Sequence, residues 1–192
     1  SGPGVVYLVT MNGETAHQWL VDPERKRGFI HRARLLPNGR LMLLFGGKGS
    51  APDTTRADWK NSGGHVAEFD WAGKETWSYT PEHTPHHDFW PTERGTVFLV
   101  CTVPVPSEYE KQIADSARRK TGIHGDELIE VDRNGDILWR WVQHEHLDIN
   151  RCNPIPANQN WAGGAHNNTV RDWTHTNTIQ ELPQNRWCQA GD

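Results

Sequence analysis

Cysteine is scarce: Cys101, Cys152 and Cys188 are the only three in 192 residues. They are too few and too dispersed for a disulfide framework or a cysteine-based zinc site. Methionine is scarcer still, and the first is Met11, so Ser1 is not a translation start and the chain reads as a processed product or a piece of a longer one. No apolar run approaches the roughly 18 residues that a membrane helix needs, so no membrane span is expected, and no stretch reads as a signal peptide. There is no basic tract. With a net charge of −4 the chain lacks the positive footprint of a nucleic-acid or anionic-membrane binder, and no nucleic acid is expected as a partner. Hydrophobic residues make up only 35% of the chain, and ten tryptophans supply much of that bulk. One globular domain with a core built on indoles is therefore expected. Eleven histidines make its charge sensitive to mild acid. Cys101 lies in the apolar run 96–103 and should be a buried, unpaired thiol, whereas Cys152 and Cys188 could pair in an oxidising compartment.

A repeat is present. When Gly13, Gly73 and Gly135 are aligned, an alternating apolar pair precedes each: Tyr7 and Val9, Ala67 and Phe69, Ile129 and Val131. The fourth and sixth residues after each glycine are His17 and Trp19, Trp77 and Tyr79, and Trp139 and Trp141. Alternation on both sides of Asn-Gly or Ala-Gly is the pattern of a β-hairpin whose turn needs positive φ. A second apolar pair follows each hairpin: 35–44 around Asn38-Gly39, 89–100 around Arg94-Gly95, and 179–188 around Pro183. Four short strands per unit is the layout of a propeller blade.

The expected fold is all-β, a β-propeller with about three four-stranded blades in units 1–60, 61–122 and 123–192. The glycines are 60 and 62 residues apart, beyond the roughly 40–45 of a compact blade, so loops must carry the surplus. Residues 46–64 and 143–171 read as such loops. Ser107 followed by Glu110 looks like a capping box opening a helix over 108–120. Three blades cannot close a ring, which implies a partial propeller completed by further blades or by another chain.

Chemistry concentrates in Asp172-Trp173-Thr174-His175-Thr176-Asn177. If 174–181 is a strand, His175 and Asn177 share a face and can meet one small anion. His86-His87-Asp88 opens an earlier run in the same way. His31 aligns only loosely with these and reads as a solvated loop residue; His86 reads as structural. The pairs His83 with His86-His87, and His144 with His146, lack a recognised zinc spacing, so no metal site is expected. Trp90 or Trp161 could stack an aromatic substrate at a channel mouth.

These motifs, together with Glu130-Val131-Asp132-Arg133-Asn134-Gly135 through Trp139-Arg140-Trp141, resemble the arylsulfotransferase (aryl-sulfate sulfotransferase) family of β-propeller enzymes. The resemblance runs from about His65 onward and is weaker before it. It implies a larger propeller of the six-bladed type, found in the periplasm or secreted. It also implies sulfuryl transfer from an aryl sulfate to a phenol through a sulfo-histidine intermediate, with small-molecule partners and no cofactor. By the same resemblance His87 and His175 are catalytic and Asn177 and Trp90 bind substrate. Arg186 falls too early to match the family's Ser-x-Arg position, and the nucleophilic histidine is expected outside this chain. Hairpins ending in Trp-x-Trp also occur in other propellers, quinoprotein dehydrogenases included. The alternative is a noncatalytic propeller that binds a partner on its loop face.

Overall fold

The structure, a computed structural model, describes residues 4–22, 27, 28, 30–46, 64–114, 123–151 and 171–183. It is all-β, with eleven strands and two four-residue helices among these residues. Strands β1 (Val5–Val9) and β2 (Thr15–Leu20) form a two-stranded sheet. A second sheet has the order β3 (Ile30–Leu35), β4 (Leu41–Phe45), β5 (His65–Phe69), β6 (Glu75–Tyr79). A third runs β7 (Thr84–Pro91), β8 (Val97–Pro104), β9 (Ile123–Val131), β10 (Ile137–Val142), all antiparallel. Helices α1 (Ser107–Glu110) and α2 (Gln143–His146) follow β8 and β10, and β11 (Arg171–Asp172) adds to β9 in parallel, opposite Ile123 and His124. No sheet is closed.

Five hairpin turns share one geometry. At Gly13, Gly39, Gly73, Gly95 and Gly135 the glycine N–H donates to the carbonyl three residues back, and φ lies between 80° and 92°. That left-handed conformation suits glycine because it has no Cβ. The register slips by one residue beside the turns at Gly13, Gly73 and Gly135, as in a three-residue loop closed by a glycine bulge. The three glycines aligned in the sequence are therefore structurally equivalent.

Strand β4 shows how the sheets are held together. All five of its residues are buried, and they serve two cores in alternation. Leu41, Leu43 and Phe45 pack with Trp19, Val21, Ala67 and Phe69 toward the first sheet. Met42 and Leu44 pack with Phe89, Leu99, Cys101 and Ile129 toward the third. The period of two thus places a middle sheet between its neighbours, and each fully buried large apolar side chain contributes roughly 1.5–3 kcal/mol.

The indoles form only part of the core, in which Trp19 and Trp173 are buried. Trp71 and Trp139 are largely exposed, and the buried volume comes mainly from Leu, Val, Ile, Phe and Met. Two of the indoles fasten the joints between sheets. Trp19 donates its ring N–H to the carbonyl of Asp70 (3.1 Å), and Trp77 to that of Arg133 (2.9 Å), each in a hairpin turn of the next sheet. An indole N–H needs an acceptor when desolvated, and a turn carbonyl supplies it.

Three local expectations require correction. The capping box at Ser107 is not formed: Pro106 occupies the cap position, and the Glu110 carboxylate accepts instead from the Ile123 N–H at 2.8 Å. Helix α1 ends at Glu110, with 115–120 outside the described residues. Residues 173–183 form no strand, because their polar groups bond to carboxylates of β7 and β9 instead of to a ladder; Trp187 and Cys188 lie outside the described residues. His31 is in β3 and half-buried, since its strand faces the third sheet across Asp88. Cys101 is buried with a free thiol, while Cys152 and Trp161 lie outside the described residues.

Candidate functional site

Strand β7 carries the first half of the site. Pro85 pairs with Cys101 and Phe89 with Leu99, so three residues of β7 face a single residue of β8. The excess forms a bulge made of His86, His87 and Asp88. Bulges re-aim side chains, and here His87 adopts φ 57°. Such a conformation is uncommon outside glycine and costs roughly 1–3 kcal/mol.

The segment 173–183 carries the second half. Trp173 is buried, and its N–H donates to the His124 carbonyl at 2.7 Å. From there three threonines alternate with His175 and Asn177. Thr174 donates its hydroxyl, and Thr176 its backbone N–H, to Oδ2 of Asp126, at 3.0 and 2.7 Å. The Thr176 hydroxyl accepts from the Gln143 side chain at 2.7 Å, and Thr178 donates its hydroxyl to Oδ2 of Asp88 at 2.8 Å. Glu181 pairs with Arg94. Two buried aspartates thus hold an irregular strip against the sheet. His175 is left at φ 49°, the other non-glycine residue with positive φ among those described.

The two strained histidines meet. Their ring centroids lie 4.7 Å apart in an edge-to-face arrangement. His86 packs edge-on to His87 at 4.9 Å, His31 lies 6.1 Å from His87, and His86 lies 6.4 Å from His175. Four imidazoles therefore converge from three segments that are distant in sequence.

Asp88 and Asp126 set the electrostatics beneath them. Asp88 is fully buried and accepts from Arg32 Nε at 2.8 Å and Arg34 Nη2 at 2.9 Å. Burial alone would raise its carboxyl pKa, yet the hydrogen bonds from Arg32, Thr178 and Arg34 bring it down to about 2. Burial likewise opposes ionisation of Asp126, and His86 together with the Thr176 N–H holds it below the ordinary range. His31 behaves oppositely. Burial first, then the neighbouring His87 and His86, lowers its pKa to about 4, so it is neutral at pH 7.

Asn177 is exposed, and its amide donates to the His175 carbonyl at 3.0 Å, closing the chain around the strained residue. Trp90 is half-buried, and its ring carries the Arg34 guanidinium 4.8 Å from the centroid; the contacts described for it are with Arg34 and not with the histidines. The sequence reading brought His87 and His175 to one place. It passed over Asp126 and gave Asp88 no role, although the alternation Thr174, Thr176, Thr178 signals a strip whose hydroxyls need acceptors. Among the described residues no three His, Cys, Asp or Glu side chains are disposed to hold a metal ion. A separate cleft of about 340 Å³, lined by Arg140, His144 and Glu145 among others, contains none of the four clustered histidines. Its Arg140 is already paired with Glu127, so the histidine cluster is the better candidate.

Imidazoles at this spacing can accept a proton, give one up, and stabilise negative charge on oxygens placed above them. Among curated proteins no relative matches the chain. Residues 6–186 match the family described as Arylsulfotransferase (ASST). With nearly the whole chain covered, the protein belongs to the arylsulfotransferase family.

Proposed function

We propose that the chain forms part of an enzyme that moves a sulfuryl group from an aryl sulfate to a phenol through a sulfo-histidine intermediate. The observation that carries this reading is the meeting of His87 and His175, each held at positive φ, 4.7 Å apart. Strain at two convergent histidines is retained where the surrounding structure enforces it, as Asp88 and Asp126 do here.

A sulfuryl group in transfer resembles a phosphoryl group, with charge on its equatorial oxygens and little covalent work for the protein. Positioned donors therefore supply most of the catalysis. In the first half-reaction the S–O bond to the leaving phenol breaks as an S–N bond to an imidazole forms, and the leaving oxygen takes a proton. The second half-reaction reverses this with the acceptor phenol. His87 and His175 stabilise the oxygens and carry the proton. Asn177 offers its second amide hydrogen to a sulfuryl oxygen, and Trp90 offers aromatic surface to the aryl group. In this reading the sheets belong to a propeller of the six-bladed type, completed by further blades or another chain, which also brings the attacking imidazole. The stacking of three sheets through alternating cores supports that arrangement.

The test is release of nitrophenolate from para-nitrophenyl sulfate by the complete propeller, this chain together with the blades that bring the attacking imidazole, with and without a phenol. Phenol-dependent release that falls by two to three decades in His175→Ala, about 3–4 kcal/mol, is expected. Wild-type turnover by that variant would favour a binding module.

A further inference from the structure

Three side chains of the histidine cluster and its support are joined by successive contacts. Asp126 Oδ1 is 3.0 Å from Nε2 of His86, and Nδ1 of His86 is 2.7 Å from Nδ1 of His87. We propose that Asp126 and His86 are positioning residues that hold His87 as its Nδ1–H tautomer, so that His87 Nε2 is the nitrogen that exchanges a proton with the phenol oxygen. The phenol rests on the sulfuryl-transfer reading above; the tautomer does not.

The hydrogens follow from what each group can donate. The Asp126 side chain is 2% exposed, and its Oδ2 already accepts from Thr174 and Thr176. An ionised carboxylate has no hydrogen to give, so the hydrogen of the first contact belongs to His86 Nε2. A neutral imidazole carries a single N–H, so His86 Nδ1 is then a lone pair. Two ring nitrogens 2.7 Å apart need one hydrogen between them, and His87 must supply it from Nδ1. In neutral His87 the Nε2 then carries no hydrogen and is an acceptor.

The backbone explains how neighbours in sequence achieve this. Consecutive residues of a regular strand point to opposite faces, whereas the bulge and the φ of 57° at His87 turn its ring back onto that of His86. The strain at His87 thus has a defined product, a side chain whose hydrogen is committed inward. His31 and His175 flank His87, and the nearby Arg32 and Arg34 are both paired with Asp88.

The proton accounting closes in both directions. When the acceptor phenol attacks sulfur, its O–H proton passes to His87 Nε2 as the S–O bond forms and the S–N bond to the sulfo-histidine breaks. In the opposite half-reaction the Nε2 proton goes to the departing phenol oxygen, which takes the electron pair of the broken S–O bond. The positive charge that His87 carries in between faces Asp126 through His86.

The tautomer can be read without any turnover. In ¹⁵N-labelled protein at pH 8, long-range proton–nitrogen spectra should show His87 protonated at Nδ1 and without hydrogen at Nε2. His86→Ala should return His87 to the Nε2–H form that free imidazole side chains prefer. An Nε2–H tautomer in the wild type, or no change in His86→Ala, would overturn the proposal. Kinetics supply the second readout. For phenyl sulfate, whose leaving oxygen needs the proton, His86→Ala should lower kcat about 100-fold, and for para-nitrophenyl sulfate by much less. Equal losses would overturn the proton-transfer role. A completed wild-type propeller with no sulfuryl transfer at all would sink the functional reading and leave the tautomer result standing.

Discussion

Asp126 and Glu127 are consecutive residues of β9, point to opposite faces of the sheet, and each bonds to a histidine. On one face Glu127 is closed off. His83 Nδ1 donates to its Oε1 at 2.6 Å, and Arg140 Nε donates to its Oε2 at 2.6 Å. On the other face Asp126 is bonded to His86, and His86 leads on to His87 and the cluster. Both carboxylates are buried, and both are held below the usual carboxylate range against the effect of burial. The same pair of residue types is therefore structural in one setting and part of a site in the other. What separates them is whether the pair ends in a guanidinium or leads to a second imidazole.

Breaking each side separately should sharpen that difference. Asp126→Ala removes the acceptor for His86, Thr174 and Thr176 together, so it should cost about 3–5 kcal/mol in urea unfolding and abolish turnover. Glu127→Ala should cost less, about 2 kcal/mol, because Arg140 is 45% exposed and recovers much of its hydration. Its nitrophenolate release per folded molecule should match the wild type. A loss of turnover as large as that of Asp126→Ala would erase the distinction between the faces.

Acid should separate the faces as well. His31, on the site side, has a folded pKa of about 4 against an unfolded value of 6.5. The unfolded chain therefore binds this proton first, so the stability contributed by neutral His31 is complete above pH 6.5 and lost as pH falls toward 4. His31→Gln should lose less stability than the wild type between pH 7 and pH 4 in urea titrations. Parallel curves would show that His31 is not desolvated by the cluster.

The smallest effect belongs to Cys101, the partner of Glu127 across β8 and β9. Burial first, then Glu127 and Asp126, pushes its thiol pKa up. A thiol reagent should therefore label Cys101 only as fast as the protein unfolds, and faster labelling would mean that the sheet opens locally between the two faces.

The hairpins were legible because turn chemistry is local. Asn12-Gly13, Ala72-Gly73 and Asn134-Gly135 carry their own conformational requirement; the alternation around them marks the strands but not always the inward face, since Tyr7 and Val9 are exposed while Val6 and Leu8 pack on the core. The strip 173–183 was misread as a strand because its backbone is held by side chains from elsewhere, Asp88 and Asp126, whose positions depend on the packing of distant strands. The meeting of His87 and His175 was anticipated through motif resemblance, whereas the left-handed backbone at both is invisible in composition or period. His31 was read as a solvated loop residue, and Asp126 was passed over, for a similar reason. Neither has a distinctive neighbour in sequence, and both acquire their roles only when β3 and β9 are brought against the β7 bulge. The tryptophans were only partly legible as core: Trp19 and Trp173 are buried, whereas Trp71 and Trp139 are exposed, and the N–H groups of Trp19 and Trp77 reach turn carbonyls at the joints.

The most direct test sets one histidine from each face side by side, His87→Ala and His83→Ala in the completed propeller, in phenol-dependent release of nitrophenolate, normalised to folded protein. His83→Ala should retain kcat within a few-fold, while His87→Ala should lose about 100-fold or more, near 2.7 kcal/mol in transition-state stabilisation. Equal losses in the two variants, or a greater loss in His83→Ala, would contradict the assignment of the chemistry to the Asp126 face.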